Sequence, residues 1–201
     1  MDPKRLLTKE GEEHFVNPHL SITTDASSTA EQPQRHFGDN TVFWFYKGEP
    51  LITLGPHFGI FMMCFLAFEL LGFVVYYFCA SHQSLVFRIV YKALIVLEAI
   101  TYIWTALKNP GIITAKDFDD PSIMENSKFK RFCKKCSILR VKNVFHCPDC
   151  DVCIREYDHH CPWTGKCIGA GNLYAFYAFL TVTLVYLIAS VALIILRIVQ
   201  G

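Results

Sequence analysis

Three long apolar runs constrain this chain more than any other feature. They are FGIFMMCFLAFELLGFVVYYFCA at 58–80, IVYKALIVLEAITYIWTAL at 89–107 and LYAFYAFLTVTLVYLIASVALIIL at 173–196. The first carries one charge, Glu69, the second carries Lys92 and Glu98, and the third carries none. Each is about 20 residues, the length a helix needs to cross a ~30 Å hydrocarbon layer. Lipid offers the backbone no hydrogen-bond partners, so each run must close its own bonds as a helix. A chain of 201 residues is too short to wrap three such helices in a soluble core. The sequence therefore predicts an α-helical integral membrane protein with three transmembrane helices. The first two form a hairpin within 48–107, and the third lies within 173–201.

What surrounds these runs sets organisation and orientation. Residues 1–47 read as a mostly disordered polar tail, clearest at TDASSTAEQPQ, 24–34. The first apolar run begins far behind Met1 and does not read as a signal peptide. Residues 108–172 hold eleven Lys and Arg, while the short loop between the first two runs holds only Arg88. Positive charge marks the cytosolic side, so 108–172 and the tail are expected in the cytosol. The formal net charge is only +1, which argues against a nucleic-acid partner.

The loop 108–172 is the chemical part of the chain. Seven of the nine cysteines fall within 133–167, together with His146, His159 and His160. Cytosolic thiols stay reduced, so a disulfide framework is not expected. The spacing instead reads as zinc: a C-x-x-C at 133–136, then HCPDCDVC with Cys147, Cys150 and Cys153 three apart. Seven cysteines and three histidines make ten candidate ligands. Two closed zinc sites use about eight of them. If the two left over are a histidine and a cysteine, the loop holds a base and a thiol, the pair that nucleophilic cysteine catalysis needs.

The stretch DHHC, 158–161, suggests which two. Side chains alternate along an extended segment, so His159 and Cys161 face one side while Asp158 and His160 face the other. His160 then suits a metal, and His159 is placed to raise the thiolate fraction of Cys161. A plain alternating strand points Asp158 away from His159, so Asp158 can orient it only if the backbone bends there. On counting alone, all ten groups as ligands or bystanders is the competing reading.

DHHC inside a cysteine-rich loop between two apolar runs resembles the DHHC family of protein S-acyltransferases, the palmitoyltransferases. The order C-x2-C, HC-x2-C-x2-C, DHHC, a further Cys six residues on, then CIGAGN carries the resemblance through 133–172. Asn109-Pro110-Gly111 stands where the family has Asp-Pro-Gly. The resemblance implies two structural Zn2+ ions. One is held by Cys133, Cys136, His146 and Cys153, the other by Cys147, Cys150, His160 and Cys167. It further implies Cys161 as nucleophile, His159 as its base and Asp158 as the group that polarises the histidine. Long-chain acyl-CoA, most often palmitoyl-CoA, is the implied co-substrate. Cysteines of membrane-associated proteins are the implied acceptors, in a multi-pass protein of the Golgi, endoplasmic reticulum or plasma membrane amid membrane lipids.

The chain departs from the family at RVKN, 140–143, and at TGK, 164–166, both outside the implied ligands. The family also has at least four spans and a Thr-Thr-x-Glu motif after the last. With three runs and no such motif downstream, the chain is expected to be C-terminally truncated. A catalytically inactive form, or a zinc-stabilised membrane adaptor, is the alternative to an enzyme. Glu69 and Glu98 are expected to face other helices or to pair with Lys92, and Asn172 to cap the third helix.

Overall fold

The computed structural model describes residues 36–114, 131–136, 138–140 and 143–200. Residues 1–35 of the expected tail, and Lys116, Lys128, Lys130 and Lys142 of the basic loop, lie outside the described residues. Three long helices carry the apolar runs: α1 (Phe58–Phe78), α2 (Leu85–Leu107) and α3 (Leu173–Val199). A one-turn 3-10 segment, Ala80–His82, links α1 to α2. α1 and α3 are each long and apolar enough to cross a membrane by length and composition. Only 17% and 22% of the residues in their most apolar stretches are buried, so they do not behave as core helices of a soluble protein.

α2 is the amphipathic member. It begins at Leu85, four residues before the expected run, because Leu85, Val86 and Phe87 continue the apolar pattern. It turns Tyr91, Glu98, Thr101, Tyr102 and Thr105 inward. Its charges do not pair within the helix: Glu98 is buried, and Lys92 lies 4.7 Å over the ring of Tyr76 on α1. The helices are tied by polar groups as well as apolar ones. The hydroxyls of Tyr91 and Ser190 lie 2.8 Å apart, joining α2 to α3, and Tyr186 donates to Phe68 O on α1 at 2.9 Å. Bonds of this kind add roughly 0.6–2 kcal/mol each in lipid.

Composition places residues 36–47 in the polar tail, but they begin a three-stranded antiparallel sheet. Its strands are β1 (His36–Phe37), β2 (Asn40–Tyr46) and β3 (Glu49–Leu54), in that order. Two tight turns make it possible, at Gly38 (φ 57°) and at Lys47–Gly48 (φ 51° and 81°). β-branched and aromatic residues of TVFWFY fill the central strand. The sheet grips the end of α2: the Asn109 N–H donates to Leu51 O at 3.0 Å, and Asn109 Nδ2 donates to Pro50 O at 2.7 Å.

The cysteine-rich part is three short antiparallel ribbons. They pair β4 (Arg131–Cys133) with β5 (Ile138–Arg140), β6 (Val144–Cys147) with β7 (Val152–Arg155), and β8 (His159–Cys161) with β9 (Lys166–Ile168). So little regular structure cannot bury a core of its own size. The ribbons lean on the turn after α2, where Asn109 Oδ1 accepts from the N–H groups of Gly111 and Ile112. Gly111 (φ 102°) needs its freedom to make that turn. Asn172 does not cap α3 through its side chain. It is fully buried, accepts from the Gly169 N–H and donates to Cys167 O, fixing the β9-to-α3 corner.

Candidate functional site

Strand alternation sorts the ligand-type residues into two clusters. On β6, His146 and Cys147 are neighbours and so point to opposite faces. His146 stands across from Cys153 in the β6–β7 register, and the Cys133–Cys136 turn completes a first cluster of Cys133, Cys136, His146 and Cys153. Cys147 and Cys150, from the turn of the same ribbon, join the cross-strand pair His160 and Cys167 of β8–β9 in a second. One ribbon thus serves both clusters, which is why their members interleave in sequence. In each, the ligand atoms lie within 4.8 Å of one another, and these clusters could hold metal ions.

The geometry and electrostatics fit a tetrahedral divalent ion. Metal–sulfur and metal–nitrogen bonds of the usual zinc lengths put S and N about 3.6 Å apart on a tetrahedron. His160 Nδ1 lies 3.6, 3.4 and 3.7 Å from the sulfurs of Cys147, Cys150 and Cys167. His146 Nδ1 lies 3.2 and 3.9 Å from those of Cys136 and Cys153. Thiols this close cannot all ionise on their own. Cys136 is pulled down to about 5, first by its hydrogen bond with Cys153 and then by His146. Cys153 is pushed up by the same contact and by burial. In the second cluster Cys167 lowers Cys150 by hydrogen bonding and is itself raised by it, while burial raises Cys147 and lowers His160. A cation would let each cluster give up all its thiol protons at once.

The second nitrogens of both imidazoles are also placed. His146 Nε2 is buried, without a hydrogen bond, and 3.4 Å from Asp151 Oδ1. His160 Nε2 lies 2.9 Å from His57 Nδ1, at the entry to α1. His57 occupies the N-cap position of α1 but makes no side-chain cap bond, because its ring is turned toward His160. Sequence reasoning had no local signal for this partner.

Cys161 and His159 stand outside both clusters. They lie two apart on β8 and so share the face opposite His160. Asp158 precedes the strand, and its Oδ2 lies 3.3 Å from His159 Nδ1. Asp158 lies outside the paired segment, so strict strand alternation does not hold its side chain away from His159. Cys161 is 4% exposed and packs with Phe61, Tyr102, Phe176 and Phe179 at one end of the helix bundle. The His159 ring meets Phe176 edge-on at 5.3 Å. A buried thiol at the top of an aromatic-lined bundle, with a histidine on its strand and an aspartate just before it, can present a sulfur to an apolar thioester.

Two helices long and apolar enough to cross a membrane, two Cys3His clusters on the ribbons that could hold metal ions, and a cysteine outside both define the class of site. Residues 126–201 match the family model described as DHHC palmitoyltransferase. Palmitoyltransferase akr1 of Schizosaccharomyces pombe is 35% identical over 86 residues, covering 39% of this chain and 13% of the relative. Palmitoyltransferase ZDHHC2 of Danio rerio is 43% identical over 56 residues, 28% of this chain and 16% of the relative. Palmitoyltransferase ZDHHC18 of Homo sapiens is 44% identical over 50 residues, 25% of this chain and 13% of the relative. Over residues 126–201 the chain is similar to the DHHC palmitoyltransferases. It spans 13–16% of the length of these relatives.

Proposed function

We propose that this chain is a protein S-acyltransferase that moves a long acyl group, palmitoyl in the first instance, through a thioester on Cys161. The observation that carries the reading is the thiol left outside both metal clusters, on the same strand face as His159. His159 Nε2 takes the proton from the Cys161 thiol as Sγ attacks the carbonyl carbon of an acyl-CoA. The carbonyl–sulfur bond to CoA breaks, and the CoA thiolate leaves with the proton returned by His159. The thiol of a protein substrate's cysteine then gives its proton to His159 as its sulfur attacks the Cys161 thioester; the acyl–Cys161 bond breaks, and the Cys161 thiolate takes that proton back from His159, restoring the thiol. One thioester is exchanged for another, so no further energy source enters. Asp158 holds His159 with its proton on Nδ1 and balances the charge the ring acquires.

Zinc supplies no step here; bound by the two clusters, it braces the ribbons that carry Cys161. A sixteen-carbon chain costs about 0.8 kcal/mol per exposed methylene, so its carrier has reason to stand over a helix bundle. Phe61, Phe176 and Phe179 are the first side chains such an acyl group would meet. The same reading makes α2 a third span, puts the ribbons on the cytosolic face and places the protein in Golgi or endoplasmic reticulum membranes. Membrane-associated proteins bearing cysteines are its acceptors.

The test uses the chain in membranes or detergent with labelled palmitoyl-CoA. Label on the parent that neutral hydroxylamine removes, and that Cys161→Ala abolishes while the zinc content stays at about two per chain, is the expected result. Zinc-loaded parent that takes no label would overturn the reading and leave a metal-braced membrane adaptor as the alternative.

A further inference from the structure

Lys166 is the lysine this fold buries, with 0% exposure among the described residues. Burying an amine is costly unless its hydrogen bonds are met. Here Nζ donates to both Thr53 O and Thr53 Oγ1 at 2.8 Å, on β3 of the N-terminal sheet. In the β8–β9 register Lys166 stands directly opposite Cys161, so the two side chains share one face of the ribbon. The chain from β3 to α1 follows the same turn. The His57 N–H donates to Gly165 O at 3.1 Å. Gly55 lies so close that an added Cβ would sit 2.2 Å from Gly165 O and 2.3 Å from Lys166 Cβ. Packing alone would be met by an unbranched apolar side chain of similar length; the pair of bonds to Thr53 needs an amine.

We propose that Lys166 is a positioning residue for Cys161: anchored on Thr53, it fixes the nucleophile-bearing ribbon to the segment that leads into α1. The inference rests on Cys161 being the acylated thiol. Without the anchor the ribbon keeps its metal cluster but loses a defined place over the bundle. Misplacing a reacting atom by about 1 Å costs on the order of 100-fold in rate.

The experiment compares the parent chain with Lys166→Met and Thr53→Val in detergent. It reads zinc content, the rate constant and final extent of thioester formation with palmitoyl-CoA, and the rate of Cys161 alkylation by a bulky maleimide with zinc bound. For Lys166→Met the expectation is parental zinc, an acylation rate constant lowered about 10- to 100-fold, an unchanged half-saturating palmitoyl-CoA concentration and an unchanged final extent. A purely structural defect would lower the final extent and spare the rate constant. Thr53→Val, which keeps the carbonyl acceptor, should fall between. Cys161, now 4% exposed, should react with maleimide several-fold faster once the ribbon is freed. A parental acylation rate constant in zinc-loaded Lys166→Met overturns the inference. If Lys166→Met loses zinc, Thr53→Val decides by the same criterion. If the parent itself takes no acyl label, the acyltransferase reading falls and the maleimide rates decide the anchor: parental rates overturn it, faster ones uphold it.

Discussion

His57 and His160 meet ring nitrogen to ring nitrogen at 2.9 Å, although 103 residues separate them in the chain. With a metal ion on His160 Nδ1, the proton of its ring would sit on Nε2 and be donated to His57 Nδ1. Such outer partners set the tautomer and basicity of a metal-binding imidazole. Replacing His57 by Phe keeps a ring but removes the acceptor. Zinc at the second cluster should then be about 10- to 100-fold easier to remove, with the first cluster unaffected. Competition against a chromogenic chelator, resolving two zinc populations per chain, checks this. A His57→Phe chain that yields both ions at parental rates would show the contact to be incidental.

This contact also marks where reading the sequence stops. The apolar runs are legible because length and hydropathy are local properties. The zinc-type spacing is legible because C-x-x-C turns are local, but the partition into two clusters is read only from the family resemblance, and the structure groups the same residues. The strand face shared by His159 and Cys161 follows from the same period of two. What stayed hidden needs tertiary information. His57, Thr53 and Lys166 acquire their roles only when residues over 100 apart meet. Asn172 looked like a helix cap, and instead ties Cys167 to α3 by turning its amide inward. The N-terminal sheet had a signal that was outweighed by the polar composition around it: a Gly turn, TVFWFY, and a Lys-Gly turn.

Zinc affinity should rise steeply with pH. The thiols of Cys153 and Cys167 are both held above their ordinary range, each by a neighbouring cluster thiol and by burial. They therefore keep their protons through neutral pH, and a zinc ion must displace them. Cys136, lowered to about 5, has already lost its proton there and contributes none. Each cluster should release about one to two protons per ion at neutral pH. The apparent affinity then gains roughly tenfold per pH unit for each proton displaced. A pH indicator in weak buffer during zinc addition to metal-free chain reads the protons. Zinc uptake without proton release would mean that the thiols are already ionised.

His159 and Asp158 should not contribute equally. Both side chains are about half exposed, His159 at 42% and Asp158 at 50%, and their atoms are 3.3 Å apart. Solvent screens an ion pair of this kind, unlike the buried aspartate of a serine protease. His159→Ala should slow thioester formation on the order of 100- to 10,000-fold, the usual worth of a positioned base. Asp158→Ala should cost only about tenfold, since water replaces part of its effect on the ring. Rate constants from single-turnover labelling, measured with zinc content constant, separate the two. Equal losses would show that the pair closes up and dehydrates when acyl-CoA binds.

Tyr102 joins the bundle to the turn after Cys161, and two substitutions resolve its two contributions. Its ring is fully buried and stacks on Phe179 at a centroid distance of 4.3 Å, with Phe61 edge-on at 5.1 Å. Its hydroxyl donates to Trp163 O at 2.8 Å, two residues past Cys161. Tyr102→Phe keeps the packing and deletes the bond, at a cost of about 1 kcal/mol. Tyr102→Ala also removes the ring and leaves a cavity, at about 3–5 kcal/mol. Unfolding midpoints in one detergent should fall in that order. The loss in Tyr102→Phe acts on the turn that carries Trp163, so acylation should slow more than its small destabilisation explains. If Tyr102→Phe lowers the midpoint but leaves the rate constant of zinc-loaded chain unchanged, the bond supports the fold alone and the nucleophile is held by its ribbon.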